Sequence, residues 1–335
     1  MEPVVEVVYN GRDISAELTP FLSSFVFVDA MNGQADTLEL VLGQAQVDAT
    51  RWLDDWYPDK GMELRARFGW TGQALVSAGS FDVDEVAVSS PPLAVVIRAQ
   101  SAGVSRAVRT RIGRAYEDTT LGAVLQQVAG RIGAKLVGSI NPDPAIDRAT
   151  QFAESEWQFA SRLAAEYGYV LKLANNNKAL AVLRLAEVQA PVRTLAAADL
   201  LRFDYRDQIA DVPARTTVRY HDAHTGALVV YGVSADGQAV PVDKASADER
   251  LRHVRTASAA DARARAAALA ERHALDKTVL ELVLPGDPLL AAGLCVAVSG
   301  LGRLTGRYVI VQATHTIDGG GYTTALQLKR TGDGA

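Results

Sequence analysis

Short apolar-rich runs recur through the first hundred residues, and in Thr37 to Leu42 and Met62 to Phe68 apolar residues alternate with others, the period of a strand with one covered face. Val4 to Tyr9 leads into Asn10-Gly11, a pair suited to the left-handed positions of a tight hairpin. Phe25 to Val28, Thr37 to Leu42, Met62 to Phe68, Phe81 to Val88 and Leu93 to Ala99 continue the series. Pro91-Pro92, which cannot sit inside a ladder, separates the last two. Short strands with little helix between them predict an antiparallel barrel or sandwich. One interruption, Asp48 to Pro58, predicts a short helix with Trp52, Trp56 and Tyr57 on nearly one face. That face either plugs the open end of the barrel or anchors a partner subunit.

The period changes after about residue 106. Leu121, Val124, Leu125, Val128 and Ile132 have helical spacing, with Gly133 as the stop. Asn141-Pro142-Asp143-Pro144 suits an extended connector. Ser155 and Gln158 then form the signature of a capping box, opening a helix that ends at Gly168. Tyr169 to Leu173, a turn at Asn175 to Lys178, and Leu180 to Leu185 predict a hairpin. Strand texture returns near residue 200 with Val212 to Tyr220, Leu228 to Val233, Thr278 to Leu284, Leu294 to Val298, Arg307 to Thr314 and Tyr322 to Lys329. One helix, residues 258–273, is inserted among them, with Ser258 as its cap. The expected fold is mainly β with an α+β insertion: a first β-barrel tube domain over 1–105, an α+β middle module over 106–200, and a second β-barrel tube domain over 201–330. No simple sequence repeat is visible, yet the two flanking β-domains have the size and texture of structural copies.

Composition narrows the function. The 335 residues are 48% hydrophobic and 22% charged, ordinary for a globular chain. A formal charge of −5 disfavours specific nucleic-acid binding, which usually needs a basic excess. No apolar run approaches the roughly 20 residues that span a bilayer, and no secretory leader is expected. A single cysteine, Cys295, excludes an internal disulfide and a multi-thiolate zinc site, and its apolar neighbours suit a small buried residue.

The candidates for chemistry are weak. His221-Asp222-Ala223-His224 reads as a turn rather than a metal edge. His273 suits a helix C-terminus, where an imidazolium complements the dipole. His253 and His315 lack a neighbouring nucleophile. Gly300-Leu301-Gly302 precedes a strand, not the helix that a phosphate cradle requires. Gly232 to Gly237 lacks the spacing of a nucleophile elbow. Asp82, Asp84 and Glu85, and Glu154 with Glu156, are the closest acid groupings. Asp82 and Asp84 are expected on one face of a strand, the minimum a glycosidase pair needs. No catalytic, cofactor-binding or metal residue is assigned.

Four segments together resemble the phage late control gene D proteins, the baseplate hub proteins of contractile tails. They are Tyr9 to Ile14, Trp52 to Leu64, the Ser155 to Gly168 helix, and the end containing Gly306 to Val311, His315 and Gly321 to Thr324. The resemblance covers essentially the whole chain. It implies a homotrimer in which two tube domains per chain make a ring of six, joining a threefold central spike protein to a sixfold tail tube or tube-initiator protein. Tape measure and baseplate wedge proteins are further implied partners. The product would be made in the bacterial cytoplasm and assembled into the baseplate of a virion or an R-type tailocin, without enzymatic activity, cofactor or stable membrane insertion. Two other readings compete: a peptidoglycan-binding role for the middle module, and a tail-associated cell-wall hydrolase.

Overall fold

The computed structural model describes residues 1–31, 35–43, 57–90, 93–101, 110–174, 178–185, 190–207, 215–221, 226–234, 238–240, 249–253 and 259–331. The chain is mainly β with an α+β insertion. The first stretch contains β1 (Pro3–Tyr9), β2 (Arg12–Asp13), the one-turn α1 (Ser15–Leu18), β3 (Leu22–Ala30), β4 (Thr37–Gly43), β5 (Glu63–Trp70), β6 (Val76–Ser89) and β7 (Ala94–Gln100). Asn10 and Gly11 take φ of 46° and 82°, turning β1 into β2 as their identities predict. Six strands pair antiparallel in the order β1-β5-β6-β7-β4-β3. Their inward residues, among them Phe25, Leu40, Phe68 and Phe81, fill one core.

The middle module contains β8 (Ile112–Thr120), α2 (Leu121–Arg131), β9 (Lys135–Val137), β10 (Ala145–Glu154), α3 (Glu156–Glu166), β11 (Tyr169–Ala174) and β12 (Ala179–Arg184). Thr120 caps α2, its hydroxyl accepting from the Ala123 N–H. The capping box of α3 is formed in both directions, Gln158 N–H to Ser155 Oγ at 3.2 Å and Ser155 N–H to Gln158 Oε1 at 3.1 Å. β11 and β12 make the expected hairpin, joined in parallel by β9. β8 and β10, an antiparallel pair flanking α2, were not anticipated.

The last stretch contains β13 (Arg193–Ala196), β14 (Arg202–Asp207), β15 (Arg215–His221), β16 (Leu228–Ser234), β17 (Ala239–Val240), β18 (Glu249–His253), α4 (Ala259–Asp276), β19 (Thr278–Pro285), β20 (Cys295–Ser299), β21 (Gly306–Asp318) and β22 (Gly321–Arg330). The expected strands around 212–220 and 228–233 do not join the main sheet. They form a separate four-stranded sheet, β17-β16-β15-β18, covered by the alanine face of α4. This unit enters between β14 and β19.

The remaining six strands pair in the order β13-β20-β21-β22-β19-β14. Numbered by position along the chain, both six-strand sets have the spatial order 1-4-5-6-3-2. They differ in polarity only at the first strand, for β1 runs antiparallel to β5 and β13 parallel to β20. The third strand of each set carries the same five residues, Leu38-Glu39-Leu40-Val41-Leu42 in β4 and Leu280-Glu281-Leu282-Val283-Leu284 in β19. The sequence therefore does contain a repeat, contrary to expectation, too short to see until the topology aligns it. Ladders between β21 and β3 merge the two sets into one 13-stranded sheet. Among the described residues, no ladder joins the end strands of either set to each other.

Candidate functional site

Of the residues that sequence offered for chemistry, Asp84, Glu85, Glu154, Glu156 and Cys295 are held in structural roles. Asp82 and Asp84 keep the one face expected of them despite the β-bulge at Asp84, for Gln100, which lies opposite Asp82, reaches Asp84. Asp84 accepts from Gln100 Nε2 at 3.2 Å, and Glu85 from Arg98 Nη1 at 2.9 Å. The other side of the Arg98 guanidinium bonds Glu39 at 2.8 Å, so these acids belong to an exposed charge ladder. Glu154 accepts twice from Arg162, whose hydrogen bond holds the carboxyl below its usual range. Glu156 is buried against Arg131, at 2.6 and 3.0 Å. Cys295 is buried, and burial pushes its thiol up, away from nucleophile behaviour.

The histidines divide. His273 stands in the last turn of α4, as expected, and is buried there, its Nδ1 3.4 Å from Thr216 Oγ1. The turn at 222–224, the side chains of His221 and His253, and the proposed helix with Trp52 and Trp56 lie outside the described residues; Tyr57 is exposed. Gly302 to Leu304 form a one-turn 3-10 segment that leads into β21, so no helix follows the glycines. Among the described residues, no three His, Cys, Asp or Glu side chains are placed to hold a metal, and no helix is long and apolar enough to cross a membrane.

The unanticipated feature is the seam where β21 meets β3. There His315 is 1% exposed, stacked on Phe27 and 4.8 Å from the Phe68 ring centroid. Its Nε2 lies 3.0 Å from the Leu290 carbonyl, which can only accept, so that nitrogen carries the proton. Nδ1 then accepts from the Tyr322 hydroxyl at 2.9 Å. Burial holds the imidazole neutral and lowers its pKa to about 4.

Beside it lies a polar joint of three distant segments. Lys172 on β11 donates to the Asp29 carboxylate on β3 and to the Ala292 carbonyl at 3.2 Å, while Ala292 N–H donates to Asp29 at 2.9 Å. Asp36 accepts from Ala30 N–H at 3.0 Å. Burial, then the Asp29 charge, push Asp36 up to about 7, with Lys172 pulling the other way. Asp29, Asp36, Lys172 and His315 line a cavity of about 350 Å³. No motif could have found this joint, since its members are brought together only by the merged sheet. It fixes the middle module to both strand sets. A second tie runs through α4, where Tyr167 donates to Asp261 at 2.6 Å and Arg184 pairs with Glu271 at 2.7 Å.

Among the described residues the arrangement provides buried seams and open edges. β14 is an end strand of the main sheet, and Phe203 on it is 48% exposed although it lies opposite core residue Leu282.

Comparison with known proteins agrees with an assembly role. A family model described as phage tail baseplate hub (GPD) matches residues 76–321, more than half of the chain. Probable baseplate hub proteins of Escherichia phages P2 and 186 are 34% and 28% identical, over 50% and 67% of this chain. The chain spans 42% and 57% of those relatives' lengths. A tail protein from Neisseria meningitidis MC58 shares the fold, with a TM-score of 0.72 over 99% of this chain and 98% of that one, at 14% identity.

Proposed function

The chain belongs to the phage tail baseplate hub (GPD) family, and from that premise we propose that it is a structural, non-enzymatic baseplate hub of a contractile tail. Three copies close a ring that joins a central spike to the tail tube. The observation that carries this reading is the matched 1-4-5-6-3-2 pairing of two strand sets within one chain. Three chains then offer six similar units, which is how a threefold spike meets a sixfold tube. The 13-stranded sheet supports a stiff wall, since its continuity fixes each set relative to the other. The middle module braces that wall from one side through Lys172 and α4 rather than binding glycan. The chain carries a net charge of −5, and a net negative chain would not retain DNA passing along a lumen.

Light scattering after size exclusion tests the reading, on the chain alone and with its spike protein. A species near three times 35.7 kDa, ring-shaped in negative-stain images, is expected. A chain that stays monomeric at every concentration and does not bind the spike would overturn it.

A further inference from the structure

The two strand sets correspond residue by residue, not only in strand order. In β6 the bulge falls at Asp84, and in β21 at Val311, the same distance beyond the neighbouring strand. Just before the first bulge, Gly61 N–H donates to the Val83 carbonyl at 2.7 Å and Val83 N–H to the Met62 carbonyl at 3.0 Å. Just before the second, Gly293 N–H donates to the Ile310 carbonyl at 2.8 Å and Ile310 N–H to the Leu294 carbonyl at 2.9 Å. Gly61 and Gly293 both take positive φ, 85° and 94°. Through the shared Leu-Glu-Leu-Val-Leu strand, Phe25 and Phe27 on β3 correspond to Phe203 and Tyr205 on β14.

Beyond its bulge, β21 leaves β20 and pairs with β3, from Gln312 opposite Ala30 to Asp318 opposite Ser24. The fifth strand of the second set thus joins the second strand of the first. The reciprocal junction would join the fifth strand of the first set, β6 beyond Asp84, to the second strand of the second set, β14. Within the chain that junction is not made: among the described residues no strand pairs with either edge. Burial follows. His315 and Phe27 at the closed junction are buried, whereas the corresponding Val88 and Phe27's counterpart Tyr205 are not, Val88 being 41% exposed.

We propose that a second copy of this chain completes the junction: β14 of one protomer adds antiparallel to residues 85–89 of the next, with Val88 opposite Tyr205 and Ser89 opposite Asp204. The pairing repeats between chains what His315 opposite Phe27 and Thr316 opposite Val26 do within one. It is heterologous and head-to-tail, so each copy uses one edge of each kind and the assembly closes when the rotation does. This rests on the ring reading above, to which it adds the contacting strands and their register.

The test mixes two full-length chains, one V88C and one Y205C, each with Cys295→Ala, under oxidising conditions. Thermal unfolding of each checks that the fold is retained. A disulfide-linked heterodimer at least tenfold more abundant than in a V88C and D204C mixture, whose side chains face opposite ways, is expected. A trimer by light scattering without that excess overturns the pairing and leaves the ring reading standing. Cross-linked chains that in the V88C/Y205C double variant grow past three copies support the pairing and overturn the ring. A monomer without cross-links overturns both.

Discussion

Acid should loosen this fold through His315 in a way that a neutral replacement abolishes. The folded imidazole titrates near 4 because it is buried, against about 6.5 when unfolded. Between those values the unfolded chain takes up a proton that the folded one refuses, so stability is retained above about 6.5, falls as pH drops, and levels off below about 4. The full difference is about 3 kcal/mol, since each pKa unit is about 1.4 kcal/mol. Protonation would also strip Nδ1 of the lone pair that accepts from Tyr322. In the His315→Gln variant an amide can donate to Leu290 and accept from Tyr322, at some loss of stacking on Phe27. Urea unfolding of both proteins at pH 7.5, 6.5, 5.5 and 4.5 isolates the histidine, because other titrations cancel in the difference. His315→Gln should be less stable at pH 7.5, and the gap should narrow by about 2.5 kcal/mol at pH 4.5. A gap that stays constant across the series would refute the buried neutral imidazole.

The neighbouring joint gives the opposite pH slope. Asp36 is raised in the folded state, so the folded chain holds a proton the unfolded one has lost, and this contribution falls as pH rises through about 7. Asp36→Asn, which keeps the acceptor for Ala30 N–H, should gain stability relative to wild type between pH 5 and pH 8 in the same unfolding assay. Lys172→Met should cost about 3–5 kcal/mol at pH 7, because it leaves Asp29 buried without its cation; a loss below about 1 kcal/mol in urea unfolding would show that the pair is hydrated. Ser155→Ala removes one half of the α3 capping box and should lower stability by about 1 kcal/mol, read from the same curves, with Ser155→Gly milder.

Strands with one covered face were legible in the sequence because burial imposes a period of two. Met62 to Phe68 and Thr37 to Leu42 are examples, each within a residue or two of its observed strand. β8 and β10 were not, since most of their side chains face solvent and only Tyr116, Ile146, Ala149 and Gln151 are buried. β14 was missed for a related reason: Arg-Phe-Asp-Tyr-Arg-Asp reads as polar because half of its neighbourhood is open. The cap at Ser155 was local and therefore readable. The joint of Asp29, Lys172 and Ala292 was not, because it depends on which strands become neighbours across more than a hundred residues.

The second strands of the two sets, one interior and one at the edge, differ in a way that their settings explain. β3 and β14 keep the same inward pair of aromatics, Phe25 and Phe27 against Phe203 and Tyr205. On the alternate positions β3 has Val26 and Val28, and β14 has Asp204 and Arg206. A strand that is always covered by β21 can be apolar on both faces, whereas one waiting for a second copy would present an adhesive edge in every free chain. Charges at alternate positions keep such an edge from pairing with the wrong strand while leaving the backbone groups available for the right one. The shared Leu-Glu-Leu-Val-Leu stands in the third strand of both sets, where its three leucines are buried alike.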